Sequence, residues 1–479
     1  MNSKKYLIFI ALASIFALSS CSGFGDHCTV NCGGGGGTAT LTITLRATPL
    51  TPQASTNLLA FVTSLTGVSI TPTSGNPVNL NSTPTLDFVR LQSNSLLIGT
   101  VSVPTGSYTG ITMSFAAPAV TYCTQTTPGL AGCSSGTVKT VNGGVSAPQI
   151  PLTLTLSANQ QAGVEIDLNT ANTLTVANQV VSAVNLGAVN AFTASTLPPT
   201  ASSLGNGQLD FFENVLGVVT AVSGQAVTVA TSNYGTFTAT GSATTYYEVN
   251  CVLQNVACAP AVGQLVSLDA AVNPDGSLAL LTFDPLSNLE IDWVDGVVTT
   301  TQTNSTQFQI VAGDQATAEG GASALPNGSI VNVTLSNPFP FYIDSKGLPI
   351  PANTFLGSTD ATNILPGMTV GIHVTAYTAA SGNTPAAITA DVVTLRYSYV
   401  SGAVFTVAPP NTFSLASLPS FFGLTGNSVV QLSSVSPDTN YDGVTGPSGL
   451  VVGHTVGISG LYFGPNAVSR FVTSKVRQF

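Results

Sequence analysis

"PGMTVGI" at 366–372 and "VGHTVGI" at 452–458 are nearly one phrase, and "VGQLVSL" at 262–268 is a looser third copy. Each follows a second short repeat: Val215-Leu216-Gly217-Val218-Val219, Val294-Asp295-Gly296-Val297-Val298 and Val400-Ser401-Gly402-Ala403-Val404. The two motifs' glycines stand 46, 71 and 51 residues apart in the three copies. A Val-rich run closes each unit: "LALLTFDP" at 278–285, "ITADVVTLRY" at 388–397 and "SRFVTSKVRQF" at 469–479. V-x-G-x-V reads as a strand with Gly at a bend or bulge, and Gly-x-x-Val as a turn entering the next strand. The spacing predicts three tandem small β-barrels, OB-like, over 209–289, 290–398 and 399–479. The middle unit's extra length falls in "FPFYIDSKGLPIPANTFLGSTD" at 339–360.

The remaining text agrees with an all-β fold. Only 6% of the 479 residues are charged, and Thr/Val-rich runs are broken every few residues by Gly, Pro, Asn or Ser. No amphipathic 3.6-period stretch beyond the N-terminus is long enough to predict a helix. The hydrophobic share of 44% is spread as short runs able to build cores, which excludes a disordered chain. Net charge is −10 with ten Lys and Arg, so no basic face exists to displace counterions from phosphates, and nucleic acid is excluded as a partner.

The leader "MNSKKYLIFIALASIFALSSC" carries Lys4 and Lys5, an apolar stretch and a small-residue approach to Cys21. It reads as a signal peptide over 1–20, too short to be a spanning helix. Its end resembles the bacterial lipobox, which implies lipidation of Cys21 (diacylation of the thiol and acylation, such as palmitate, of the new amino terminus) and membrane attachment through that lipid. Ser22 follows the cysteine in place of the Asp that signals inner-membrane retention, so the expected location is extracytoplasmic, at the outer membrane or cell surface. Residues 21–37, ending in five glycines, form a flexible tether.

The first folded region, 38–198, opens with the alternating strand "TATLTITLRA" and contains "LDFVRLQSNSLLIGTVSVPTGSYTGITMSF" at 86–115. Leu86, Leu91, Leu96, Leu97, Pro104, Gly106, Tyr108 and Ile111 resemble the signature of an uncharacterised β-sandwich family of bacterial lipoproteins, a Leu-rich run and then a Pro-x-Gly-x-Tyr turn. The resemblance implies a two-sheet sandwich, Ig-like or transthyretin-like. The family often has a basic residue where this chain has Thr112, so no shared binding surface follows. Physically, Pro104 fixes φ, Gly106 permits positive φ, and Tyr108 can tuck its ring against the next strand. The three later units resemble a second uncharacterised family of small barrel-like domains in exported bacterial proteins, beginning "GxV…V" and including a hairpin such as Asn273-Pro274-Asp275-Gly276. That resemblance implies architecture, not chemistry.

Six cysteines besides Cys21 fall into close pairs, Cys28/Cys32, Cys123/Cys133 and Cys251/Cys258, and read as local disulfides of an oxidising compartment. A zinc site at Cys28, Cys32 and His27 lacks a rigid fourth ligand. Gly132-Cys133-Ser134-Ser135-Gly136 spells a nucleophile elbow but has no helix after it. Asp284, Glu290, Asp292 and Asp295 gather around Trp293, the sole tryptophan. Glu290 and Asp292 on one strand face would suit paired-carboxylate glycosidase chemistry, and the preferred reading is a solvated junction between barrels with Trp293 as plug. Asp438, Asn440 and Asp442 alternate like the first half of a calcium loop, but position twelve is Gly449. This stretch reads as a polar turn, able to hold calcium only if another acidic group arrives from elsewhere. No other cofactor is expected. The functional expectation is a lipid-anchored binding, adhesion or envelope-scaffold protein without catalytic activity, its partner an envelope protein or glycan. The alternative is a carbohydrate-binding or carbohydrate-processing surface lipoprotein.

Overall fold

The computed structural model describes residues 37–479 except 51–56, 125–131, 134–136, 198–207, 249–257, 318–324, 417, 424–427, 433–438, 466 and 468–469. Strands dominate. The one α-helix among the described residues is the single turn Thr170–Thr173, capped by the Asn169 side chain on the Asn172 amide.

The N-terminal region is a two-sheet sandwich. One sheet runs Phe192–Thr196, Gln161–Asn169, Thr38–Thr48, Leu96–Pro104, with Thr38–Thr48 parallel to Gln161–Asn169. The other runs Val138–Asn142, Ala119–Cys123, Asn57–Pro72, Gly106–Phe115, Gln149–Leu156. Alternate residues turn inward, most cleanly in Gln149–Leu156, where Ile150, Leu152, Leu154 and Leu156 are buried and their neighbours exposed. Between the sheets lie Ile43, Leu45, Phe61, Ile70, Phe88, Ile111 and Ile166. The Pro-x-Gly-x-Tyr turn behaves as its chemistry predicts. Gly106 has φ +141°, and Tyr108 is buried with its hydroxyl donating to the Pro104 carbonyl at 2.5 Å.

Each later unit builds the same barrel. In the first, Asp210–Ser223 pairs with both Ala226–Thr231 and Leu265–Val272. Ala226–Thr231 then pairs with Gly235–Thr240, and Leu265–Val272 with Leu278–Ser287. A parallel contact between Gly235–Thr240 and Leu278–Ser287 closes the ring. Trp293–Val298, Gln307–Ala316, Ile330–Leu335, Thr369–Thr378 and Ala386–Arg396 repeat this order, as do Ser398–Ala408, Thr412–Ala416, Ser428–Leu432, Thr455–Tyr462 and Phe471–Gln478. A short strand lies parallel to each closing strand: Tyr246–Tyr247, Tyr342–Ile343 and Asn440–Asp442. The Gly-x-x-Val glycines Gly263, Gly367 and Gly453 share φ of +87°, +87° and +88°, so the repeated phrase marks a left-handed turn before the fourth barrel strand.

The sequence predicts separate barrel cores; the first barrel keeps its own, and the second and third do not. One apolar cluster joins Val294, Ile310 and Ile388 of the second barrel, Val456, Ile458 and Val476 of the third, and Leu59 and Cys123 of the sandwich. The first barrel is covered on its outside as well, since Leu265–Val272 is buried at every position. Its Val266, Leu268, Ala270 and Val272 fill the first barrel, while Leu265 joins Trp293 and Val392 in a separate cluster. Strands that alternate apolar and polar residues are therefore covered on both faces.

Candidate functional site: a buried charge network where the four domains meet

Residues 209–479 carry 21 of the chain's 30 Asp, Glu, Lys and Arg residues. Residues 209–289 contain Asp210, Glu213, Glu248, Asp269, Asp275 and Asp284 and no Lys or Arg. The cations come from elsewhere. Lys475 of the third barrel donates to Asp210 at 2.8 Å and to the Phe211 carbonyl at 3.1 Å. Arg477 pairs with Asp210 and also with Asp442 at 2.5 Å. Lys346 of the second barrel meets Asp269 at 2.6 Å, and Arg396 donates to the Asn214 carbonyl at 3.2 Å. Ser474 donates to Glu213 at 2.6 Å, and Ser459 donates to its other oxygen.

The sandwich enters through the 3-10 turn Arg90–Gln92 and the residues after it. Arg90 approaches Asp314 at 3.6 Å, donates to the Asn214 carbonyl at 3.2 Å and reaches the Tyr399 hydroxyl at 3.3 Å, touching all three barrels. Arg477 returns the contact, donating to the Leu91 and Asn94 carbonyls at 3.1 and 2.8 Å. The strand Asp210–Ser223 is the hub. Its pairing with Leu265–Val272 shifts between Phe212 and Val215, and Asn214 sits there at φ +59°. This bulge turns the Glu213 and Asn214 peptides toward the neighbouring domains.

Burial opposes every charge here, and the partners decide the outcome. Burial disfavours ionisation of Asp210, but Arg477 and Lys475 hold its carboxyl below the ordinary range. Asp344 is likewise lowered by Lys346 and Arg396 against its burial. Burial pushes Asp314 up to about 6 despite Arg90, and Glu165 up to about 8 although Arg46 lies 2.9 Å away. Asp284 is pushed well above the carboxylate range by burial and then by Asp344.

The repeats explain that last case. In the second barrel the acid following Tyr342–Ile343, Asp344, meets Arg396 on the closing strand at 3.0 Å. In the third, Asp442 meets Arg477. In the first, Glu248 occupies the equivalent position, its amide donating to the Phe283 carbonyl as that of Asp344 donates to Leu395. The closing-strand residue after Phe283 is Asp284, so an acid stands where the other barrels place Arg.

Several expectations change here. Asp284 and Asp295 are 1% and 3% exposed, so the acidic knot is not a solvated junction; Trp293 does plug it, fully buried with Nε1 donating to Asp295 at 2.8 Å. Glu290 is exposed, and it and Asp292 precede the strand Trp293–Val298, so the two share no strand face. The 339–360 insertion, read as extra length alone, delivers Asp344 and Lys346 to the network. Asp442 is buried against Arg477 and lies 3.6 Å from Arg46, with Asn440 in the same short strand; Asp438 lies outside the described residues. Among the described residues, no group of three His, Cys, Asp or Glu side chains is arranged to hold a metal. Cys123 and Cys133 form a disulfide. Cys258 is disulfide-bonded, while Cys21, Cys28, Cys32, Cys251 and the serines of the elbow-like pattern lie outside the described residues.

One available signal for the network was the sign asymmetry of the units, an all-acid first repeat followed by a closing Lys475-x-Arg477. Another was the second glycine of the repeated phrase. A Cβ at Gly371 would fall 2.6 Å from the Trp293 ring, and one at Gly457 would strike the Gln92 carbonyl. Those glycines admit the junction's largest groups. Neither a protein-family model nor a curated protein matches the chain.

Proposed function

We propose that the protein is a lipid-anchored, extracytoplasmic binding or scaffold module of the cell envelope, without catalytic activity. One observation carries this reading: the buried acids and bases spend their contacts on one another across domain boundaries. Catalysis needs acids and bases that converge on a space a substrate can reach. Here Asp210, Asp269, Asp344 and Asp442 are each neutralised by a Lys or Arg, two of them from another barrel, which favours a stiff body displayed on a tether. The lipobox at Cys21 and the glycine run supply attachment and reach. Crosslinking in intact envelopes, compared between wild type and Cys21→Ala, tests the proposal. Wild type should fractionate with membranes and capture a reproducible envelope partner, and Cys21→Ala should be released. A variant that stays membrane-bound and acylated, or a wild type with hydrolytic turnover, would overturn it.

A second reading, carbohydrate binding, has its own support. A groove of ≈ 750 Å³ runs between the sandwich strand Leu96–Pro104 and the first barrel. Thr228, Thr236 and Thr238 offer hydroxyls beside Tyr234, on the second and third barrel strands and the turn between them, with the Asp275–Ser277 hairpin tip at one side. That face and loop are the ligand-binding side of OB-type barrels, an argument from fold analogy. A glycan array with wild type and Thr236→Lys decides it: this reading predicts binding that the lysine abolishes.

A further inference from the structure

Where the sandwich and the second and third barrels close around Asn214 they leave a cavity of ≈ 90 Å³. Much of its polar wall is already engaged. Asp87 accepts from the Phe61 and Val89 amides at 2.9 and 3.1 Å, and Asp314 accepts from Asn233 at 2.7 Å. Asp295 Oδ2 lies 2.8 Å from Arg396 Nε. Three lining residues each retain a buried polar atom with no hydrogen-bond partner: Arg90 Nε, Asn214 Nδ2 and Thr369 Oγ1. They come from the sandwich, the first barrel and the second barrel, and are 9%, 1% and 6% exposed. Folded proteins seldom leave buried donors unmatched, and here three belong to one cavity.

The chemistry of the walls narrows what fits. Two N–H donors and a hydroxyl select a molecule bearing several oxygens. The carboxylates of Asp87, Asp295 and Asp314 outnumber the two guanidinium groups beside them, Arg90 in the lining and Arg396 paired with Asp295, so an anion meets net repulsion. Hydroxyl oxygens accept from Arg90 and Asn214 and can donate to carboxylates. Leu58, Val297, Phe421 and Phe422 supply an apolar side suited to C–H groups. At about 30 Å³ per water the volume holds about three waters, which a polyol of two or three carbons displaces.

We propose that this cavity is a composite binding site for a small neutral polyol of two or three carbons, complete only when all four domains are assembled. The proposal goes beyond the scaffold reading and is separate from the outer groove, which Thr369 does not line.

The sole tryptophan supplies the readout, because Trp293 donates to the cavity-lining Asp295. Full-length protein in detergent is titrated with ethylene glycol, 1,2-propanediol, glycerol, dihydroxyacetone and, as the anionic counterpart, glycerate, following Trp293 emission and calorimetric heat. At least one neutral compound should give a saturable signal and bind more tightly than glycerate. Thr369→Val keeps the shape and the backbone amide's bond to Ser398 Oγ but removes the unpartnered hydroxyl. It should weaken binding roughly fivefold, the loss of one hydrogen bond, with an unchanged melting temperature. No saturable signal from any neutral compound, tighter binding of glycerate, or unchanged affinity in Thr369→Val would each overturn the proposal. The neutral-against-anionic comparison uses wild type alone and decides the matter even if Thr369→Val folds poorly.

Discussion

Asp210→Ala removes one carboxylate and strands the cations that face it. Lys475 and Arg477 are both fully buried, as is Asp210. Arg477 retains Asp442 and the Leu91 and Asn94 carbonyls, whereas Lys475 keeps the Phe211 carbonyl and a place over the Phe211 ring. The stranded Lys475 therefore sets the cost, and leaving one member of a buried pair uncompensated destabilises by about 3–5 kcal/mol. Urea unfolding followed by Trp293 emission measures it. The probe sits in the second barrel and the change in the first, so the full loss appears at Trp293 only if the domains unfold together. Lys475→Met combined with Asp210→Ala should recover part of the loss, giving a coupling of about 1–3 kcal/mol. A single-variant loss below about 1 kcal/mol at Trp293, or a cycle with no coupling, would refute the reasoning.

Stability should peak in mildly acidic solution. Asp210 and Asp344 titrate below their unfolded values, so their contribution is complete above about pH 4 and fades on acidification. Asp314 and Glu165 are raised to about 6 and about 8, so the folded protein holds protons the unfolded chain has released, and stability falls as pH rises from about 4 up to those values. Urea midpoints that climb steadily from pH 5 to pH 9 would contradict this. Gly263→Val places a branched residue at φ +87° and should cost about 1–3 kcal/mol, seen in the shared transition and not in one barrel alone. Cys133→Ser should cost about 2–3 kcal/mol, because the bridge closes a ten-residue separation, and should loosen the loop whose Cys133 and Gly132 amides donate to Thr299 and Phe421. Equal urea midpoints for Cys133→Ser and wild type would count against that role.

Local chemistry was legible in the chain. The alternation of "TATLTITLRA", the Pro104–Tyr108 turn and the left-handed glycines Gly263, Gly367 and Gly453 each act through their own backbone, so the sequence alone discloses them. The Cys123–Cys133 bridge is close in sequence and follows the same logic. What was not legible is held by long-range pairing. Asp210 and Lys475 stand 265 residues apart, and Arg90 meets Tyr399 across 309. Repeats far apart in a chain invite reading as separate bodies, because nothing in V-x-G-x-V states which outward face is covered. Acids are usually solvated, and nothing beside Asp284 and Asp295 in the sequence says otherwise. The second barrel covers both, through Asp344 against Asp284 and Arg396 against Asp295, and no local pattern carries those destinations.

The central claim, that the sandwich and three barrels form one body locked by charges exchanged across their boundaries, is tested most directly by calorimetry of the full-length protein. Heat capacity should show a single transition whose calorimetric and van't Hoff enthalpies agree, coincident with the change in Trp293 emission. Separate transitions for the barrels, with Trp293 following only one of them, would contradict it.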